Sequence, residues 1–186
     1  MKSCFITIRK LSKVKVFLSQ QQLQLLVSSL VFTLLDHCNS LYYGLPSCTI
    51  KKLQHVQNCA ARLVWKAPIP IHSSIDYVFD SLHWLKIKFR IIYKIIWLVY
   101  CCLHGKAPED VAGLIAHSKS ERTMHLKETR HNNSYGKRAF SHVGPKLWNL
   151  LPQEITEEHE LLAFKQKVKS FLLTRGEEFI EWTKLR

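Results

Sequence analysis

The sequence predicts a mainly all-α fold: an irregular helical domain of about six helices, with a stretch near 120–140 that is compatible with one short hairpin. Three observations carry this expectation. Apolar residues recur at three- and four-residue spacing through the long segments, which is the period of a helix with one dry face. Glycine and proline fall between those segments, at Gly44-Leu45-Pro46, Pro68 and Pro70, Gly105 and Pro152. Apolar residues make up 47% of the chain, too many for wholesale disorder.

Taken in order, residues 1–18 form a basic N-terminal segment, MKSCFITIRKLSKVKVFL, expected to be partly frayed. It is free of acids, as transit peptides are, but it has no small-residue cleavage site and runs into an ordinary helix. Residues 19–116 are expected to form the helical core. Its first helix begins at Ser19, where Ser-Gln-Gln-Gln offers a capping box, and continues to about Asp36. The second, 50–65, is the cleanest amphipathic pattern in the chain. Ile50, Leu53, Val56, Ala60, Leu63 and Val64 share one face, and Lys51, His55, Arg62 and Lys66 the other. Ala60 and Ala61 permit close helix packing. A third helix is expected over 73–83.

The fourth helix, 85–103, is expected to repeat the design of the second. Lys86, Arg90 and Lys94 step beside Tyr93 and Trp97, opposite Ile87, Ile91, Ile95, Leu98, Val99 and Cys102. Gly105 should end it. A short helix follows Pro108, with proline and acids in its first turn. Residues 117–138 read as a basic irregular loop, compatible with a short hairpin or a solvated linker. Residues 139–175 carry C-terminal helices: one through Phe140, Leu147 and Trp148, interrupted near Gly144-Pro145, and one over 160–174 with Leu161, Phe164, Val168, Phe171 and Leu172 on a stripe. Residues 176–186 are expected to be a frayed tail.

The net charge of +13 bounds the function. It is concentrated at 1–66, 81–106 and 117–146, and a balance of this sign suits an anionic partner, most often nucleic acid. The six cysteines follow no disulfide framework or CxxC spacing and are expected to be reduced, buried, intracellular thiols. His72, Asp76, Asp80 and His83 share a helical face, a stripe that resembles a hydrated-cation site but is more often a solvated surface, and no metal is assigned to it. No cofactor is expected, because GxxxxGKS and GxGxxG loops are missing. No paired acids of the two-metal type and no GxSxG nucleophile signature are present either, so catalysis has no sequence argument. The greasiest run, 91–103, is too short and too charged to span a bilayer, so no membrane partner is expected.

Six blocks in series carry a further reading: LLDHCNSLYYGLP at 34–46, KLQHVQNCAARLV at 52–64, LHWLKIKFRIIYKI at 82–95, CLHGKAPED at 102–110, GKRAFSHVGPKLWNLLP at 136–152 and FKQKVKSFL at 164–172. In order and spacing they resemble the C-terminal portion of the reverse-transcriptase polyprotein of LINE-type (non-LTR) retrotransposons, over about residues 4 to 175. The resemblance implies that the acidic palm motif and the endonuclease lie upstream of this region, so no catalytic residue carries over and a polymerase domain is a missing partner. His37 stands where the family usually has Tyr, Lys86 where Pro commonly follows HWL, and the stretch after 117 is shortened.

Together these readings give a non-catalytic, intracellular fragment. It is expected to bind RNA or DNA phosphates through Lys51, Lys52, His55, Arg62, Lys66, Lys86, Arg90 and Lys94. The alternative is a structural or interaction fragment with no ligand of its own.

Overall fold

The computed structural model describes residues 1–65, 74–115, 125–129, 133 and 135–185, with side chains at 182, 184 and 185 left aside. It is all-α, and among the described residues no strand forms. The chain divides into two compact units, Met1–Arg90 and Ile91–Arg186, and the division falls inside one continuous helix.

In the first unit the N-terminal segment is ordered as helix α1 (Lys2–Val14), not frayed. Cys4 and Leu11, seven residues apart on one face, are buried as α1 packs on α4. Ser19 caps α2 (Gln20–Val27) with the reciprocal capping box that the sequence signals: its hydroxyl accepts from the Gln22 N–H, and Gln22 Oε1 accepts from the Ser19 N–H at 2.9 Å. The expected single helix to Asp36 is instead α2, a π-helical turn (Ser28–Phe32) and α3 (Thr33–Asp36). Hydroxyls supply the reason. Ser29 Oγ takes the Leu25 and Leu26 carbonyls and Thr33 Oγ1 takes the Ser29 carbonyl, competing with the helix's own donors.

Helix α4 (Ser47–Val64) begins three residues earlier than the periodicity indicates. Val56, Ala60, Ala61 and Val64 have no exposed surface, and at about 25 cal/mol per Å2 of apolar area such positions supply most of the helix's stability. Lys15 Nζ donates to the Trp65 carbonyl at its C-terminal end, where a cation complements the helix dipole. The dry face also holds two glutamines. Gln57, wholly buried, donates to the Leu85 carbonyl at 2.8 Å, and Gln54 accepts the Ile87 N–H at 2.9 Å. They bolt the 85–87 corner to α4. Helix α5 (Asp76–Leu82) is shorter than expected and ends at His83, which takes a left-handed conformation at φ 51°; residue 73 lies outside the described residues.

Helix α6 (Ile87–Leu103) starts after Lys86, so lysine at that position precedes the helix and does not extend it. It does not repeat the design of α4. None of its residues is exposed; Ile92, Ile96 and Tyr100 are buried along with Ile87, Ile91, Ile95 and Val99 of the expected stripe, while Leu98 and Cys102 of that stripe are only partly covered. Its end is as the sequence indicates, with Gly105 at φ 63°.

In the second unit α7 (Glu109–Ala112) follows Pro108. Helix α8 (Phe140–Trp148) is not interrupted at Gly144-Pro145. Proline lacks the N–H that would bond to the Ser141 carbonyl, and Thr129 Oγ1 donates to that carbonyl at 3.1 Å instead. The segment that carries Thr129 lies against α8 and the residue after it. His142 Nδ1 is 2.8 Å from the Thr129 carbonyl, and the Asn149 amide bonds both the N–H and the carbonyl of Leu126. In the described part of the stretch read as a hairpin or a linker, Leu126 makes an isolated bridge and no ladder; the rest lies outside the described residues.

After α9 (Gln153–Thr156), α10 runs Leu161–Leu185, well past its expected end. A kink at Arg175 (φ −120°) marks that end. There Thr174 Oγ1 takes the Ser170 and Phe171 carbonyls, and Gly176 follows. The expected frayed tail continues as helix because Phe179, fully buried, packs edge-on against Phe171 at 5.5 Å. The core of this unit stacks Tyr100 on Phe164 at 4.1 Å and Phe164 on Trp148 at 5.9 Å.

Candidate nucleic-acid interface

The first unit carries twelve Lys or Arg against three Asp and no Glu, and Asp36 is the sole acid of residues 1–75. Helices α1 and α4 therefore meet with no carboxylate on either rod. Lys51, Lys52 and His55 are exposed on one turn of α4, and among the described residues no carboxylate pairs with either lysine. Met1, the N-cap of α1, and Phe5, one turn further on, face that turn. The five residues line an open hollow of about 360 Å3 with almost wholly apolar walls, built from the two rings, the methionine and the lysine stems. The Phe5 and His55 rings are 5.9 Å apart and inclined at 49°.

The remaining candidates are placed differently. Arg62 is half-buried, and its charge partly offsets the burial that pushes the Cys59 thiol up. His55 Nε2 lies 3.8 Å from Cys59 Sγ, but burial opposes the thiolate that a nucleophile needs. Lys66 lies outside the described residues. Lys86 bonds Asp76 at 2.9 Å, and the hydrogen bond from Lys86 is the main reason that Asp76 sits below the usual carboxylate range. Arg90 is engaged most fully. Its guanidinium forks onto Asp36, with Nε donating to Oδ1 at 2.9 Å and Nη2 to Oδ2, and it lies over the Phe32 ring at 4.5 Å. In the second unit Lys94 covers the Trp97 ring at 3.8 Å and Lys165 lies over it at 5.0 Å, so cations occupy the surface on which a base would stack.

The structure thus keeps Lys51, Lys52 and His55 together on an open face and draws Lys86 and Arg90 into ion pairs. It adds residues that sequence reasoning passed over: Phe5, with the exposed Lys2, Arg9, Lys10 and Lys13 of α1. Cys4, Ile8 and Leu11 at i, i+4 and i+7 were the available signal for that helix.

Of the polar stripe on the third helix, Asp76 is ion-paired, Asp80 and His83 are exposed, and His72 lies outside the described residues. No metal-holding cluster occurs among the described residues. The cysteines are all unpaired, but Cys38 and Cys48 are exposed, which corrects the expectation of uniformly buried thiols. Cys38 lies in the turn before the 3-10 segment at 39–42 and Cys48 in the first turn of α4. Among the described residues no helix is long and apolar enough to cross a membrane. Set beside family models, curated proteins and solved structures, the chain matches none of them.

Proposed function

We propose that this chain is a non-catalytic C-terminal portion of a LINE-type reverse-transcriptase polyprotein that binds RNA or DNA through the joined basic face of α1 and α4. The observation that carries the binding is the acid-free pairing of these helices, with Lys51 and Lys52 unneutralised beside the cations of α1. Ammonium groups in this arrangement replace condensed counterions on phosphates, and release of those ions drives association. The six sequence blocks support the retroelement origin. Lys86 and Arg90 act within the fold in this reading, and Lys51, Lys52 and His55 meet the nucleic acid.

The test is binding of the purified chain to a labelled oligonucleotide between about 50 and 300 mM salt. If four to six phosphates are neutralised, affinity for a single strand falls on the order of a hundredfold or more across that range. Affinity that does not change with salt overturns the proposal.

A second reading, an interaction fragment with no nucleic-acid ligand, is favoured by Val16 and Phe17 at 87% and 85% exposure and by Leu25 and Leu41 at 69% and 72%. Strong binding of a hydrophobic dye by the folded chain, with no oligonucleotide binding, supports it.

A further inference from the structure

We infer that the hollow lined by Met1, Phe5, Lys51, Lys52 and His55 is a base-stacking site, which gives the chain a preference for unpaired over duplex nucleic acid. The inference rests on the proposed nucleic-acid binding and adds to it the form of the ligand.

Two features of the hollow point the same way. Its walls are apolar and include two aromatic rings inclined at 49°, each able to offer a π-face to a flat heterocycle. Lys51 and Lys52, both exposed, line it within one helical turn of His55, so a stacked base and its own phosphate can be held together.

The hollow is also open to solvent. A nucleobase tolerates that, because it stacks through its face and keeps its polar edge wet. An acyl chain does not, because its buried length would stay half in water. Bases inside a duplex are stacked on each other and cannot enter such a hollow, so the site selects single strands, bulges or ends. From it the strand can follow the exposed Lys2, Arg9 and Lys13 of α1, where no acid repels it.

The test compares three labelled probes of equal length on the full chain: a single strand with bases, the same strand made abasic throughout, and a duplex. Binding of the base-bearing strand about tenfold tighter than the abasic one is expected, as one or two stacking contacts imply. Phe5→Ala combined with His55→Ala should bring the two affinities together, and Phe5→Tyr should keep them apart. Both positions are exposed at the surface, and circular dichroism checks that the fold is kept.

Equal, salt-sensitive binding of base-bearing and abasic strands overturns the stacking site and leaves the basic face standing. No binding of any probe overturns both. Tighter association with vesicles of anionic phospholipid than with the strand, lost in Phe5→Ala, also overturns it and makes the hollow a membrane contact.

Discussion

Replacing Asp36 by Asn tests the part of the structure that most changes how the basic residues are understood. In the wild type the Arg90 guanidinium makes two bonds to this carboxylate, Asn39 Nδ2 donates to it at 3.1 Å, and the Phe32 ring lies beneath the cation. The Arg90 side chain is 19% exposed and that of Asp36 is 37%, so the pair sits between two regimes. Exposed pairs contribute about 0–1 kcal/mol, and breaking a fully buried one costs about 3–5 kcal/mol. Partial burial with bidentate geometry places Asp36→Asn at about 2 kcal/mol. For a chain of this size that lowers Tm by about 4–8 °C. Thermal unfolding followed by circular dichroism measures it, and a cycle with Arg90→Met and the double variant isolates the pairing, with a coupling energy above about 1 kcal/mol expected. If both single variants unfold within about 0.5 kcal/mol of wild type, or if their effects simply add, Arg90 does not tie Asp36 to α6. Arg90 is then free to join the phosphate-binding residues.

Other outcomes follow from single contacts. A Cβ at Gly144 would meet Val99 Cγ2 at 2.9 Å and Ile115 Cδ1 at 3.3 Å, so Gly144→Ala should destabilise by about 1 kcal/mol net despite alanine's better helix propensity; a gain in denaturation midpoint contradicts this. The depressed Asp76 carboxyl contributes stability above its ordinary value near 3.8 and loses it as pH falls through the lower folded value. Because Asp76 is 62% exposed, Asp76→Asn should cost only about 0.5 kcal/mol at neutral pH, and the difference from wild type should vanish in strong acid. A constant difference over that range refutes the pairing. Brief thiol labelling with mass detection should modify Cys38 and Cys48 first, since burial raises the thiols of Cys59, Cys101 and Cys102; early labelling of Cys101 contradicts its position in the core.

The helices were legible where one face is dry and the punctuation is local. Helix α4, the Ser19 capping box and the Gly105 stop came directly from spacing and turn chemistry. The sequence was silent where a side chain acts across the fold. Gln57 reads as a polar residue on a helix, and only its bond to the Leu85 carbonyl makes it a core residue. Pro145 reads as a break, because the donor that rescues the freed carbonyl, Thr129, lies twelve residues from Ser141.

The candidate site was half visible for the same reason. Periodicity placed Lys51 and His55 on the wet face of α4, and it placed Lys86 and Arg90 on α6 by the same rule. It could not see that the latter two face Asp76 and Asp36 from other elements. Helix α1 was passed over because a basic N-terminal run looks frayed until its apolar stripe finds α4.

The central claim is that the α1–α4 face holds phosphates, and the salt dependence of single-strand binding in Lys51→Gln/Lys52→Gln tests it most directly. Losing two contacts should reduce the slope of log affinity against log salt by about 1.4. Lys146→Gln/Lys169→Gln, which removes the same charge from α8 and α10, should leave the slope where it was. Equal reductions in the two variants, or none in the first, would show that net charge and not this face governs binding.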